Sequence, residues 1–340
     1  MTAGAITVCA SAPVRLDLAG AWTDVAPFVE RERGLVINVA IELRTTAELH
    51  VPHPRFELAS DDLGECVQAD SATDLVIDGR LDLHKAAILH SGIPPCALRT
   101  RAAAPAGAGL GSSGALGVAL VAALDAARRA TSNQRTPMPR HEIAETAWVL
   151  ETRDAGVAGG KQDQFAAAIG GFQRLAFEDG RVRSVAIDLD PDFAAELAGH
   201  TVLCYTGRSR FSGQTNARVM RAYSAGDRDV TAALRAMVDV AEQMDDALSA
   251  GNLGRVGELL CRNWRQQLRL DAGMCTPEMA RLEVAMIRAG AIGGKAAGAG
   301  TGGSMFFVVP GDVAPAVAAA RECDATVLPV RWAMEGVRQC

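Results

Sequence analysis

The segment Pro105-Ala-Gly-Ala-Gly-Leu-Gly-Ser-Ser-Gly114 constrains the fold more than any other stretch of this chain. It stands between an extended-looking run at 96–104 and an apolar, alanine-rich stretch at 115–127. Glycine at alternate positions lets successive backbone N–H groups turn inward without Cβ clashes, and the start of a helix adds partial positive charge. A strand, a glycine loop and a helix start in that order form a cradle for an anion. The bland reading of the same residues is a glycine-rich helix start that serves only a tight turn.

Two common anion loops can be tested directly. The P-loop requires Gly-Lys-Ser/Thr after its spacer, and here Gly111 is followed by Ser112 and Gly114 by Ala115. The dinucleotide pattern G-x-G-x-x-G is matched by Gly109, Gly111 and Gly114, and again by Gly298, Gly300 and Gly303. That pattern also needs a second parallel strand ending in an acidic residue. The apolar stretch instead runs into Asp125, Arg128, Arg129 and a polar, proline-bearing loop at 131–140. Neither pattern accounts for the loop.

Three further segments accompany it. Pro13-Val-Arg-Leu-Asp-Leu-Ala-Gly-Ala-Trp-Thr-Asp24 lies near the N-terminus, Gly159-Gly-Lys-Gln-Asp-Gln-Phe165 opens an apolar run, and Gly293-Gly-Lys-Ala-Ala-Gly-Ala-Gly-Thr-Gly-Gly303 precedes an apolar strand at 305–309. In this order, with the 105–114 loop, they resemble the GHMP small-molecule kinases, the family of galactokinase, homoserine kinase, mevalonate kinase and phosphomevalonate kinase. The resemblance spans almost the whole chain. It implies an α+β fold, the GHMP kinase fold, with an N-terminal ATP-loop domain over 1–190 and a C-terminal ferredoxin-like domain over 191–340 closing a substrate cleft.

Periodicity supplies the coarse elements. It predicts strands at 6–18, 45–51, 96–104 and 200–206, helices at 83–90, 115–129, 141–152, 162–169 and 230–250, and a hairpin of 172–177 with 182–187. Thr276-Pro277-Glu278 reads as a helix start, with a capping hydroxyl and proline in the first turn. A domain change is expected in 189–198.

Phosphoryl transfer to a hydroxyl needs phosphates held, Mg²⁺ placed and the hydroxyl proton taken. By resemblance, Pro105, Gly107, Gly109, Leu110, Gly111, Ser112, Ser113 and Gly114 form the ATP-phosphate loop. Ser113 and Glu151 match the Mg²⁺ ligands, two oxygens of the kind a hard cation takes alongside phosphate. Asp163, twelve residues beyond Glu151, matches the catalytic base at the start of a helix, where an anion is favoured; capping that helix is its other reading. Arg15 matches the residue beside the reacting hydroxyl. Asp24, Trp22, Thr23, Gly160, Lys161 and Gln162 match substrate-binding positions, and Arg208 and Arg210 can fork onto a phosphate. Trp22 can stack on a sugar face or pack in the core. Galactokinases carry Glu and His where this chain has Ala21 and Trp22, which counts against galactose. The narrower resemblance, through the Asp24 segment and Tyr205-Thr-Gly-Arg-Ser-Arg-Phe-Ser-Gly-Gln214, is to the kinases of L-fucose and D-glycero-D-manno-heptose 7-phosphate.

The expected activity is therefore ATP- and Mg²⁺-dependent phosphorylation of an anomeric or other hydroxyl of a sugar or sugar phosphate. A cyclitol or other sugar-like polyol as acceptor, and an inactive ATP- and sugar-binding sensor, are the alternatives the residues leave open. A net charge of −6 argues against a nucleic-acid partner. The apolar run at 115–124 stops at Asp125, short of the roughly 20 residues a membrane helix needs. No basic stretch precedes an apolar segment at the N-terminus, so no signal peptide is expected. Eight cysteines without a C-x-x-C pair suggest reduced thiols and a cytoplasmic setting.

Overall fold

Two long antiparallel strands organise the N-terminal half of the computed structural model, which describes residues 5–131, 136–207 and 212–340. Strand β1 (Ile6–Ala19) pairs with β2 (Gly34–Val51) from Ile6 opposite Val51 to Ala19 opposite Ile37. The register shifts at Pro13/Val14 and at Asp17/Ala19, and such irregularities re-aim side chains next to active sites. Residues 10–19 of β1 are all buried. Residues 34–41 of β2 are buried on both faces too. This is why alternation picks out only 45–51 in an 18-residue strand: with both faces covered, the polar half of the pattern disappears.

The sheet is extended by β3 (Phe56–Ser60), β4 (Glu65–Ala69), β5 (Ala97–Ala102), β6 (Phe172–Glu178) and β7 (Arg181–Ala186). Among the described residues only β3 and β5 run parallel. Helices α1 (Phe28–Arg31), α2 (Asp82–Ser91), α3 (Ser112–Thr131), α4 (Arg140–Val149) and α5 (Gln162–Ile169) belong to this half. Most of helix α3 between Gly114 and Ala127 is buried, because its small Ala and Gly residues let β1, β2 and α5 approach closely. The helix expected over 141–152 ends instead as α4 and continues as a wider π turn, Leu150–Asp154.

The expected change-over at 189–198 holds a helix, α6 (Pro191–Gly199), capped by the Asp190 carboxylate. Beyond it β8 (Thr201–Tyr205), β9 (Gly293–Ala296), β10 (Ser304–Val308) and β11 (Thr326–Leu328) form a second sheet in the order β11-β8-β10-β9, all antiparallel. Helices α7 (Ser212–Ser224), α8 (Arg228–Ser249), α9 (Leu253–Leu268), α10 (Pro277–Arg288) and α11 (Ala314–Glu322) accompany it. Thr276 caps α10 as expected, its hydroxyl accepting from the Met279 N–H. A two-residue strand, β12 (Arg338–Gln339), returns to pair with β1.

The turn after β1 delivers the Trp22–Asp24 segment to the interior. Gly20 has φ +87°, and a Cβ there would lie 1.9 Å from the Leu35 carbonyl oxygen. The turn also carries Trp22 at φ +77°, a conformation costly for an aromatic residue. Gly20→Ala is expected to cost more than about 2 kcal/mol, read as a lowered urea midpoint; an unchanged midpoint would show that the turn tolerates a side chain.

Candidate active site

Strand alternation places Arg15 and Asp17 on one face of β1. Arg15 is only 5% exposed, and three other segments meet on it. Its backbone N–H donates to the Leu110 carbonyl at 2.9 Å. Its Nη1 donates to the carbonyls of Gly109 at 2.9 Å and Ala297 at 2.8 Å, and its Nε to Asp163 Oδ1 at 2.7 Å. The planar fork of donors on a guanidinium permits this simultaneous reach. The glycine loop, the β9–β10 connection and the start of α5 are thereby tied to one side chain.

Asp163 in turn explains two loop glycines. A Cβ on Gly111 would come within 3.0 Å of the Asp163 carboxyl carbon, and one on Gly114 within 2.6 Å of its Cβ. Helix α3 begins at Ser112 with no acidic residue in its first turn, so its N-terminal partial charge faces the loop uncancelled. The later glycine segment braces the loop from behind. Ser304 N–H donates to the Ala108 carbonyl at 2.8 Å, and a Cβ on Gly298 would sit 2.3 Å from the Gly109 oxygen.

These groups line a cleft of about 360 Å³, together with Trp22, Asp24, Glu151, Gly160, Gln162, Asn216 and Gly300. That volume suits a small-molecule site. Asp24 is buried, and its Oδ2 accepts the Gln162 backbone N–H at 3.0 Å. A Cβ on Gly160 would lie 1.9 Å from that oxygen, so only glycine lets the segment pass. Burial pushes the Asp24 carboxyl up from 3.8 to about 6, with the charges of Asp163 and Asp17 adding to the shift and the Gln162 N–H opposing it. Its Oδ1 is buried without a hydrogen-bond partner among the described residues, an acceptor left for a ligand.

Glu151 sits in the π turn that widens the end of α4, a distortion frequent at functional sites. Burial raises its carboxyl from 4.5 to about 7, against hydrogen bonds from Ser113 and Gln164 and with the Asp163 charge adding to the rise. Three carboxylates, Asp24, Glu151 and Asp163, thus converge on one cleft, an arrangement that favours an arriving cation.

The residues expected from the sequence divide by position. Gly107, Gly109, Gly111, Ser112, Ser113, Arg15, Asp24, Trp22, Gly160, Gln162, Glu151 and Asp163 come together around the cleft. Leu110, fully buried, and Gly114 hold the loop from beneath, and the Pro105 carbonyl accepts from Ala108 N–H to turn it. Thr23 departs from expectation: it is 0% exposed, and its hydroxyl donates to the carbonyls of Gly20 and Leu35 and accepts from Leu35 N–H. It fixes the turn instead of meeting a ligand. Lys161 also turns away, its ammonium 2.7 Å from Glu145 and 4.6 Å from the Trp148 ring centroid. Trp22 is 3% exposed and belongs to the apolar cluster of the C-terminal half, and it also lines the cleft, so both readings of it stand. Arg208 and Arg210 lie outside the described residues. Gln164, Asp17 and Lys295 carry no such expectation from the sequence, although Asp17 and Lys295 stand inside the first and last glycine-bearing motifs, the signal that could have found them.

Known proteins resemble the chain over most of its length. The family model for the GHMP kinases N terminal domain matches residues 80–171, and that for the GHMP kinases C terminal matches 244–325. A D-glycero-alpha-D-manno-heptose 7-phosphate kinase of Campylobacter jejuni is 30% identical over 313 residues, covering 89% of both chains. An L-fucokinase/L-fucose-1-P guanylyltransferase of Bacteroides fragilis is 27% identical over 328 residues, which are 87% of this chain and 34% of that longer protein. A solved D-glycero-D-manno-heptose 1-phosphate kinase from Bacteroides thetaiotaomicron superposes with TM-score 0.79 at 27% identity, covering 98% of each chain. Among the described residues no helix is long and apolar enough to cross a membrane.

The raised Asp24 carboxyl has a consequence for stability. The folded protein retains a proton that the unfolded chain releases, so the contribution is present below the unfolded value and lost as pH rises through the folded one, from 3.8 to about 6. Asp24→Asn cannot titrate. Its stability relative to the parent should therefore climb as pH rises across that window, by up to about 3 kcal/mol, and then level off. Denaturant titrations at several pH values check this, and a pH-independent difference would contradict it.

Proposed function

The chain belongs to the GHMP kinases, and from that premise we propose that it transfers the γ-phosphoryl group of ATP to the anomeric hydroxyl of a sugar or sugar phosphate. It is a sugar kinase by family; the acceptor hydroxyl and the residue roles are this proposal. The observation that carries it is the seat of Asp163, packed against Gly111 and Gly114 and bound to Arg15. A carboxylate in that seat lies against the glycine loop and opens to the cleft, 29% exposed.

Each residue then has a task. The loop amides and the α3 N-terminus bind the phosphates of ATP. Asp24, through its unpartnered Oδ1, orients the acceptor. Asp163 accepts the proton of the attacking hydroxyl, and Arg15 holds that carboxylate in one orientation and counters negative charge on the transferring group. For a metal, Ser113 and Glu151 line the same cleft, and the buried Ser112 hydroxyl has no partner among the described residues. This set of hard oxygens beside a phosphate loop fits Mg²⁺, which takes one or two protein oxygens and completes its shell elsewhere. Bound there, Mg²⁺ would offset the charge of the β- and γ-phosphates. Residues 1–190 are proposed as the ATP-loop domain and 191–340 as the domain that closes the cleft, with the chain end at β12 returning to the first sheet.

An ATP-consumption screen over free monosaccharides, cyclitols and heptose phosphates, with the product position assigned by NMR, tests the activity. Turnover of none, or of a non-sugar alcohol alone, would overturn it. Asp163→Asn should lower kcat by about 10²–10⁴-fold. Its thermal midpoint should fall, because Arg15 loses its buried counter-charge, so turnover is compared at a temperature where both proteins are folded; unchanged turnover would remove Asp163 from the reaction. Glu151→Gln should raise the Mg²⁺ concentration needed for half-maximal rate, and an identical Mg²⁺ dependence would dismiss that ligand.

A further inference from the structure

Lys295 on β9 and Asp17 on β1 form an ion pair in which both side chains are 0% exposed. The ammonium also donates to the carbonyls of Asp17 at 2.8 Å and Ala296 at 2.9 Å. Taking two charges out of water is seldom repaid by their attraction, so stability alone is a poor reason for such a pair. None of the tasks of the reacting groups uses it.

Its neighbourhood suggests one. Arg15 is two residues from Asp17 along β1 on the same face. The Ala297 carbonyl that accepts from Arg15 Nη1 at 2.8 Å also accepts from the Asp17 N–H at 3.2 Å. The charges sense one another: burial pushes the Lys295 ammonium below its usual range, Asp17 opposes that shift and Arg15 adds to it. An ionised Asp17 without Lys295 would be a buried carboxylate competing with Asp163 for the same guanidinium, and at low dielectric such competition is strong.

We propose that Lys295 is a positioning residue that neutralises Asp17 and so leaves the Arg15 guanidinium to Asp163. The inference rests on reading Arg15 and Asp163 as the reacting pair. It assigns the hazard to the charge on Asp17 and the remedy to the charge on Lys295. Removing both charges together should therefore be far milder than removing the lysine alone, an order of effects that a simple structural brace would not produce.

Steady-state kinetics with ATP, and with L-fucose and heptose 7-phosphate as acceptors, tests this on the full chain. Lys295→Met is expected to lose at least about tenfold in kcat with KM for ATP changed by no more than about twofold. Asp17→Asn, and the double variant Asp17→Asn/Lys295→Met, should keep kcat within about threefold of the parent. Folded Lys295→Met with unchanged kcat would overturn the proposal, as would a folded double variant as slow as Lys295→Met. Should Lys295→Met not fold, the double variant decides: parental turnover supports the proposal and a tenfold or greater loss, about 1.4 kcal/mol in the barrier, overturns it. Arg15→Met in the same series separates the two levels. Retained turnover there refutes the Arg15–Asp163 reading itself, whereas lost turnover with Lys295→Met unaffected refutes this inference alone.

Discussion

The guanidinium of Arg15 is the contact on which the rest of the site depends. From one buried point it donates hydrogen bonds to Gly109, Ala297 and Asp163. Those acceptors are separated from it by 94, 282 and 148 positions in the chain. No local propensity brings such segments together; the long β1–β2 pair and the helices packed on it do. Once Arg15 is in place, the spacing of its neighbours is set. Asp163 lies against the loop, so positions 111 and 114 have no room for side chains. The loop backbone meets the β9–β10 connection, so 298 and 303 have none either.

Electrostatics gives the site its direction. Asp24 and Glu151 are both held above their ordinary carboxyl range by burial, a cost built into the fold. Groups disfavoured as anions in isolation become favourable partners when a cation or a hydrogen-bonding hydroxyl arrives. The strained Trp22 turn and the π turn at Glu151 belong to the same pattern, in which local backbone rules are broken around the cleft. Arg15 and Lys295 are the buried cations that answer the carboxylates of Asp163 and Asp17.

The parts of this arrangement that could be read from the sequence are those written in residue type. Glycine at 107, 109 and 111 encodes positive φ, observed at +67°, +72° and +77°. The apolar run after Asp163 encodes α5, whose bounds Gln162–Ile169 are those expected. The family resemblance added Glu151 and Asp163, which composition could not single out. What stayed hidden depends on long-range pairing or on one rotamer. Asp17 and Lys295 meet across 278 positions where the end of β1 passes the segment at Lys295–Ala297. Lys161 has a long stem that chose Glu145. The Thr23 hydroxyl was captured by a turn that only the β1–β2 connection creates. The hairpin β3–β4 and the two-residue β12 are too short for periodicity to register.

The central claim is that Arg15 and Asp163 act on the acceptor as one unit. A double-mutant cycle in kcat/KM with Arg15→Met, Asp163→Asn and their combination measures that coupling most directly. Residues that act together are grossly non-additive, so the account predicts a combined variant within about threefold of the slower single one. Multiplicative losses, each substitution exacting its full effect in the absence of the other residue, would contradict it.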